Sequence, residues 1–343
     1  MTIERLTWAD LDGWSDDDHE AALLAFLSAS VALDSSGFRG LVESASAASG
    51  RARAFFEKYF EPHRVAIDAN TPLLTGYFEP EVLASRTRIS GFDVPLHARP
   101  ANLVTIVSEA DRGSVPVNTR THMLETPSGL RVVPTRREID QGALRGQCRE
   151  LFYVADEIDR FIMQVQGSAA LRLQDGTLTR VTYDGKNGHP YTSLGRLLVE
   201  RGEIASHEMT LARLVAWLKS DPERARHTIW ANESYVFFRE LPSEVASAPI
   251  GVMGTPLVPG RSLAVDPAHN PLGLPVYVEA PDLISMTGAP FRRLMIAHDV
   301  GSAIKGPVRG DLFVGTGAEA GRIAGAIKHP VRFTRLHPRS ALR

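Results

Sequence analysis

Cysteine is almost absent from this 343-residue chain, which also lacks long apolar runs and clusters of basic residues. A single cysteine, Cys148, excludes an internal disulfide framework and a cysteine-rich metal site. No stretch of about 18 uninterrupted apolar residues occurs, so no segment is predicted to span a bilayer. The chain has 38 Lys and Arg against 40 Asp and Glu, with no sustained basic run. Nucleic acid is therefore not an expected partner, because neutralising phosphates requires clustered cations.

The first residues, MTIERLTWADLDGWSDDDHE, lack the basic and apolar regions of a secretory signal peptide. We therefore expect no export signal in the sequence as written. Two interpretations stay open: the protein stays in the cytoplasm, or the sequence is a mature or truncated form of an exported protein.

The patterns along the chain predict β-rich blocks on both sides of a mixed section. The first sixty or so residues are helix-like, with Ser15 as an N-cap before DDDHEAALLAFLSAS and Pro62 ending a second helix, ARAFFEKYFEP. From Pro72, short apolar or alternating runs between turn residues are typical of strands. This pattern returns after Asn232, in SYVFFRE, RSLAVDP, LPVYVEA and RRLMIAHDV. We predict a β-barrel built from both flanks, with a second domain inserted between them.

Within the middle section, Thr135 and Glu138 have the spacing of a capping box, so a helix is predicted to begin there. The stretch FIMQVQGSAALRLQDGTLTRVTYDG predicts two strands joined around Asp175 and Gly176. The predicted parts are a helical segment over 1–69, the barrel over 70–110 and 240–335, and the inserted domain over 111–239.

The stretch HDVGSAIKGPVRGDLFVGTG, residues 298–317, combines two aspartates with five glycines. It does not fit a phosphate-binding loop, because Lys305 precedes the second glycine of the required spacing and Pro307 follows it. The interval between Gly317 and Gly321 is one residue too long for a dinucleotide fingerprint. Nucleotide binding is therefore not predicted.

An aspartic-protease dyad is also excluded, because it needs two aspartates on equivalent loops and only Asp299 stands in a D-x-G context. No HExxH motif is present, so no metal site is predicted. The remaining candidate is a site for acid–base catalysis at a glycosidic bond. Asp311 is followed by Leu312, Phe313 and Val314, and an apolar surrounding raises the pKa of a carboxyl. The alternative is that Asp299 and Asp311 are turn aspartates that bond nearby amides.

Several segments, taken together and in order, resemble the membrane-bound lytic murein transglycosylase A family. These segments are LLTGYFEP, PTRREIDQGAL, FIMQVQGSAALRLQDG, VTYDGKNGHPYTSLGRLLVERG, GTPLVPGRSLAVDP, LGLPVYVE and HDVGSAIKGPVRGDLFVGTGAEAGRIAG. They cover roughly residues 72–330, far more than chance short motifs would match. The C-terminal part resembles the three-aspartate domain of that family, with Asp266, Asp299 and Asp311 at the positions of its three acids.

The resemblance implies a mainly β fold with α+β elements: a double-psi β-barrel with a smaller β-domain inserted, and N-terminal helices packed on the barrel. It implies cleavage of the β-1,4 bond between N-acetylmuramic acid and N-acetylglucosamine in peptidoglycan, leaving 1,6-anhydromuramoyl ends without a cofactor or metal. The expected partner is the peptidoglycan glycan strand. We expect a monomer in the periplasm or cell envelope, with association to the outer membrane as an option.

The resemblance also implies roles for individual residues. Asp311 is the predicted general acid and base, Asp299 is expected to orient groups near the site, and Asp266 is expected to lie further back. The predicted substrate-binding residues are Thr75, Gly76, Tyr77, Gln166, Gly167, Ser168, Lys186, Asn187, Gly301 and Lys305. For each of them, a packing or turn role is as compatible with the sequence as direct contact.

Two other functions stay open. An inverting hydrolase acting on a β-glucan or chitin would need a second carboxylate, for which Asp299 and Glu79 are the candidates. A cell-wall binding module would use Asp311 only to bond a sugar hydroxyl.

Overall fold

The computed structural model describes residues 2–35, 38–66, 72–107, 120–284, 286 and 288–339. The chain divides into two compact units. The first unit comprises residues 1–78, 250–315 and 323–343, and the second comprises 79–249 and 316–322.

The chain is mainly β, with 33% strand and 27% helix, which confirms the predicted fold class. Among the described residues, no helix combines the length and apolar content that a membrane crossing requires. The strands in chain order are β1 (Thr2–Arg5), β2 (Phe60–Ala66), β3 (Leu73–Glu79), β4 (Glu81–Ser85), β5 (Val94–His97), β6 (Leu103–Thr105), β7 (His122–Thr126), β8 (Gly129–Arg131), β9 (Glu150–Val154), β10 (Ser168–Leu173), β11 (Leu178–Lys186), β12 (Val236–Glu240), β13 (Ser262–Val265), β14 (Pro275–Ala280), β15 (Phe291–Val300), β16 (Arg309–Thr316), β17 (Lys328–His329) and β18 (Arg332–Pro338). The helices are α1 (His19–Ser28), α2 (Ser30–Ser35), α3 (Arg39–Ser46), α4 (Ala52–Tyr59), α5 (Arg136–Asp140), α6 (Glu157–Gln166), α7 (Leu194–Glu200), α8 (Leu211–Lys219), α9 (Pro222–Trp230) and α10 (Ala318–Ala324).

The first unit contains a nine-stranded sheet in the order β1-β2-β18-β14-β15-β13-β16-β3-β17. Within the described residues these pairings form an open order that does not return from β17 to β1. The expected barrel strands are therefore present as an open mixed sheet. β13 lies between β15, to which it is parallel, and β16, to which it is antiparallel.

The N-terminal helices pack on this sheet, because their buried apolar side chains form one cluster with Tyr277, Leu294, Ile296 and Leu336. The predicted boundaries of these helices need correction. Helix α1 begins at His19 and is capped by the Asp18 side chain, which accepts a hydrogen bond from the Ala21 N–H, and not by Ser15. Pro62 lies inside β2, so α4 ends three residues earlier, at Tyr59.

The second unit contains a six-stranded sheet, β12-β11-β10-β4-β9-β5, and a three-stranded sheet, β6-β7-β8. β4 pairs with β9 and β10, and β5 pairs with β9. Both strands therefore belong to the second unit, which comprises residues 79–249 and the short segment 316–322. The predicted boundaries near residues 110 and 240 placed residues 79–110 and 240–249 in the barrel, whereas the structure places them in the second unit. A uniform strand-like pattern on both sides of Glu79 conceals this change of sheet.

Two local predictions in the second unit are confirmed, and one needs correction. Thr135 and Glu138 form the capping box of α5, and β10 and β11 pair as an antiparallel hairpin around Asp175 and Gly176. The segment FIMQVQ, however, belongs to α6 rather than to a strand. Ile158, Phe161 and Ile162 are buried at the three- and four-residue spacing of one face of α6.

Candidate active site

Two of the three candidate acids flank one small residue in the sheet of the first unit. Ala264 on β13 pairs with Asp299 on β15 and with Asp311 on β16. Cross-strand partners project from the same face of a sheet, so the two carboxyls share the face of Ala264. Two strand spacings put their Cα atoms about 9.5 Å apart. Ala264, the residue between them, carries only a methyl group.

A β-bulge in β15 aims Asp299 at this face. The pairing of β15 with β13 shifts between Leu263 and Ala264, which leaves His298 as the extra residue. Bulges re-aim side chains and recur beside active sites. His298 is fully buried, and its Nδ1 lies 2.8 Å from Ser262 Oγ. Burial lowers the pKa of His298 to about 4, so this side chain is a neutral anchor of the bulge.

Asp311 is partly exposed and receives one side-chain hydrogen bond, from Thr75 Oγ1 to Oδ1 at 2.5 Å. Burial, with a smaller contribution from the Asp299 charge, raises the pKa of the Asp311 carboxyl to about 6. The Thr75 hydrogen bond and the Arg309 charge act in the opposite direction. A carboxyl with this pKa can donate a proton near neutral pH and take it back.

Asp299 is also partly exposed, but both of its oxygens are engaged. Tyr77 Oη donates to Oδ2 and the Val252 N–H donates to Oδ1, each at 3.1 Å. Burial raises the pKa of Asp299 to about 6, against the effect of these hydrogen bonds and of the Val300 N–H. Burial, with the charges of Asp299 and Asp311, holds the pKa of Tyr77 well above its usual range, so Tyr77 is a neutral donor.

Arg309 is a site residue that the sequence analysis missed. Its Nη2 donates to Thr75 Oγ1 at 2.8 Å, and the same guanidinium reaches the backbone carbonyls of Leu73 and Gly310. Arg309 stands two residues before Asp311 on β16, and residues at that spacing share a strand face. The period-two pattern of VRGDLF could therefore have identified it.

Glycines keep this part of the sheet closely packed. A Cβ at Gly310 would lie 2.7 Å from Phe333 Cζ, and one at Gly76 would lie 2.9 Å from Ala324 Cα. Both distances are shorter than real Cβ contacts, so only glycine fits. Gly76 is thus required for packing, and it is also partly exposed.

Asp266 is buried and ties two loops together. Its Oδ2 accepts a hydrogen bond from the Gly306 N–H at 2.8 Å, and its Oδ1 accepts one from the Ala268 N–H at 3.3 Å. Asp266 therefore shapes the loop that follows β15, which also carries the partly exposed Gly301 and the exposed Lys305.

The remaining predicted contacts lie in the second unit. Gln166, Gly167 and Ser168 are partly exposed at the junction of α6 and β10. Gly167 ends the helix at φ 82°, and its carbonyl accepts the Tyr183 N–H at 2.7 Å. Lys186 is partly exposed at the end of β11.

Asn187 does not fit the predicted direct contact with a sugar, because it has no exposed surface. Its Nδ2 donates to the carbonyls of Pro134 and Glu233, and its Oδ1 accepts the N–H groups of Tyr235 and His189. The whole amide is therefore used to join segments of the second unit.

Glu79, the other candidate for a second carboxylate, is also fully buried. Arg180 Nε lies 3.1 Å from both of its oxygens, and the Thr316 hydroxyl donates to Oε2 at 2.7 Å. Burial raises the pKa of Glu79. Because it presents no surface, it cannot activate a water for attack on a substrate. Within the described residues, no group of three or more His, Cys, Asp or Glu side chains could hold a metal ion.

The chain matches two family models, the MltA specific insert domain over residues 73–239 and the 3D domain over residues 261–337. Among curated proteins, it is 43% identical over 202 residues to membrane-bound lytic murein transglycosylase A of Vibrio cholerae, with 57% of this chain and 54% of that protein covered. The Escherichia coli K12 protein of the same name is 34% identical over 261 residues, with 74% and 62% covered. The matches thus span less than two thirds of the length of these relatives.

Solved structures extend the similarity over the whole chain. A membrane-bound lytic murein transglycosylase from Agrobacterium tumefaciens superposes with a TM-score of 0.89 at 34% identity, with 100% of both chains covered. MltA from Neisseria gonorrhoeae gives a TM-score of 0.84 at 29% identity, with 98% of this chain and 93% of that one covered. Escherichia coli MltA with bound chitohexaose gives 0.71 at 27% identity, with 96% and 90% covered.

Proposed function

We propose that this chain, which belongs to the membrane-bound lytic murein transglycosylase A family, is a lytic transglycosylase that cleaves peptidoglycan glycan strands. The names of its relatives support murein as the substrate. The chitohexaose bound by the Escherichia coli relative supports a site for a β-1,4-linked N-acetylglucosamine chain. The same names favour a location in the cell envelope.

One observation carries the proposal. The Asp311 carboxyl is partly exposed, has a pKa of about 6 and keeps one oxygen for a substrate. Thr75 bonds Oδ1, and within the described part of the chain no hydrogen bond reaches Oδ2. Asp299 has a similar pKa, but hydrogen bonds engage both of its oxygens. Asp311 is therefore the better proton donor.

In the proposed reaction, Asp311 donates its proton to the glycosidic oxygen as the bond from that oxygen to C1 of the muramoyl residue breaks. The C6 hydroxyl of the same muramoyl residue then attacks C1, and its proton returns to the Asp311 carboxylate. The products are a 1,6-anhydromuramoyl end and a free C4 hydroxyl on N-acetylglucosamine. One carboxyl serves both steps, because a tethered nucleophile has a high effective molarity and needs no activated water.

Replacing Asp311 with Asn tests the assignment. Asn keeps the shape and an acceptor for Thr75 but donates no carboxylic proton at neutral pH. We expect Asp311→Asn to lose about 10³–10⁴-fold of its anhydromuropeptide release from purified sacculi while it still binds them. The release is measured by mass spectrometry of the soluble products.

Melting temperature provides the folding control. The folded pKa of Asp311, about 6, exceeds its ordinary value of 3.8. Ionisation of this group therefore destabilises the folded state as pH rises from about 4 to 6. Asn removes that cost, so at pH 7 the variant should melt no lower than wild type. A folded Asp311→Asn protein with wild-type release, beside a folded but inactive Asp299→Asn protein, would reverse the two roles.

The chemical nature of the products separates the alternatives. The second carboxyl, Asp299, shares the face of Asp311 at two strand spacings, an arrangement that an inverting hydrolase could also use. Reducing ends in the digest would identify a hydrolase, and intact strands would identify a binding module. Anhydro ends are the result that we expect.

A further inference from the structure

Three polar side chains on neighbouring strands form a directed chain of hydrogen bonds that ends at Asp311. Arg309 Nη2 lies 2.8 Å from Thr75 Oγ1, and Thr75 Oγ1 lies 2.5 Å from Asp311 Oδ1. Arg309 belongs to β16 together with Asp311, whereas Thr75 belongs to β3, the neighbour of β16 in the sheet. We call Arg309, Thr75 and Asp311 the β16–β3 relay.

The direction of this relay follows from what each group can donate. A guanidinium has five N–H donors and no acceptor, so Thr75 Oγ1 must accept from Arg309. A hydroxyl carries only one proton, which Thr75 therefore directs to Asp311 Oδ1. In the neutral acid the carbonyl oxygen is the better acceptor, so this hydrogen bond leaves the acidic proton on Oδ2.

We propose that Arg309 is a positioning residue, which acts through the Thr75 hydroxyl to keep the reactive proton of Asp311 on Oδ2. This inference rests on the proposed function, because it assigns the oxygen that donates the proton and later recovers it. Without Arg309, the Thr75 hydroxyl could rotate and accept from the acid instead. The proton would then be held by Thr75 rather than offered to a substrate.

Rotation of Arg309 itself is restricted by its other contacts. The same guanidinium reaches the carbonyls of Leu73 and Gly310, and these contacts restrict its rotation. Arg309 is also partly buried, and burial lowers its pKa although the guanidinium stays charged. A partly buried cation held by two carbonyls and one hydroxyl has a defined orientation, as a relay requires.

The charged and titratable groups around Asp311 in the first unit predict the sign of each variant's effect on pH dependence. They are Arg309 on β16, Tyr77 on β3 and Asp299 on β15. The Thr75 hydrogen bond and the Arg309 charge lower the pKa of Asp311, and the Asp299 charge raises it. Loss of either Thr75 or Arg309 should therefore move the Asp311 titration to higher pH.

The test compares Thr75→Val, Thr75→Ser and Arg309→Met in the full chain, with Arg53→Met as the matched control for loss of an arginine. Arg53 is exposed on α4 and forms an ion pair with Glu57 on the same helix. We expect Val and Met to lower kcat on sacculi by roughly tenfold or more. They should also move the alkaline limb of the kcat/KM profile to higher pH, by about one unit. Ser should restore both values, and Arg53→Met should match wild type.

The double variant tests whether Arg309 acts through Thr75. Because Val has no hydroxyl to orient, Thr75→Val/Arg309→Met should have the kcat of Thr75→Val alone. Full additivity of the two losses in kcat would overturn the relay. So would an unchanged alkaline limb in both folded single variants.

A second measurement works without turnover. The Asp311 carboxyl is titrated by ¹³C NMR in the resting protein, with Asp311→Asn identifying its signal. We expect the pKa of Asp311 to rise in both Thr75→Val and Arg309→Met and to keep its wild-type value in Thr75→Ser. This result supports the relay even if the wild-type protein releases no anhydro ends. An unmoved titration beside normal anhydro release by wild type would reject the relay and leave the proposed function intact.

Discussion

At the residue scale, the two carboxyls of the site differ in what their neighbours leave available. Asp311 and Asp299 have the same raised pKa of about 6. Both oxygens of Asp299, however, accept hydrogen bonds, from the Tyr77 hydroxyl and from the Val252 N–H. This difference supports our proposal that Asp311 transfers the proton and Asp299 orients neighbouring groups. Because the groups interact, the pair titrates with apparent pKa values that belong to both.

The interaction gives a prediction for Asp299→Asn that distinguishes it from the relay variants. Asp311 must be protonated to act as the acid, so kcat/KM should fall as pH rises above about 6. The Asp299 charge raises the pKa of Asp311, and its removal should move this fall to lower pH. The measurement is a pH profile of anhydro release by wild type and the variant. A fall that moves to higher pH would show that Asp299 acts on Asp311 by some other route than its charge.

At the element scale, a buried ion pair connects the N-terminal helical segment to the sheet of the first unit. Arg261 donates to both oxygens of Asp17 at 2.9 Å, and the Leu294 N–H donates to Oδ2 at 2.7 Å. Both side chains of the pair are almost fully buried. The ion pair and the Leu294 hydrogen bond therefore attach the segment before α1 to β15 and to the start of β13, in addition to the apolar packing.

Asp17→Ala should destabilise the protein by about 3–5 kcal/mol, because it leaves the Arg261 cation buried without its partner. Urea unfolding measures this loss. The neighbouring Asp16→Ala is the control, since Asp16 is exposed and surface substitutions usually change stability by less than about 0.5 kcal/mol. Equal midpoints for the two variants would mean that the Asp17–Arg261 pair adds nothing measurable to stability.

At the scale of the whole molecule, the two units are assembled very differently from the chain. The first unit is built from three separate segments, whereas residues 79–249 supply nearly all of the second. The second unit has apolar cores of its own, one around Phe152, Leu171 and Phe238 and another around Leu124 and Tyr235. A continuous segment with its own core is the usual form of an inserted domain that can fold alone.

We therefore expect a fragment of residues 79–249 to fold by itself, with a dispersed amide NMR spectrum and a cooperative thermal transition. It should be less stable than the same residues in the full chain, because it lacks the Thr316 hydroxyl on the buried Glu79. Glu79→Gln in the fragment should destabilise it further, because it leaves the Arg180 guanidinium buried without its charged partner. A collapsed spectrum without a transition would show that residues 316–322 are required for folding.

The sequence by itself determined the features that depend on local spacing or on motif order. The capping box at Thr135 and the hairpin around Gly176 follow from residues near one another in the chain. The family and the candidacy of Asp311 follow from the order of motifs along it. The relay depends instead on Thr75 and Asp311, which are 236 positions apart. Only the pairing of distant strands brings those two side chains together.

The tertiary structure also decided burial, which sequence motifs do not report. Asn187 and Glu79 stand in motifs as conspicuous as that of Asp311, yet both are fully buried and fully bonded. The boundary at Glu79 was likewise set by which sheet β4 joins, because strands of either sheet have the same local pattern. Side-chain period and turn residues are local properties, whereas strand partners, solvent exposure and the pKa values that follow from them are set by contacts between distant segments.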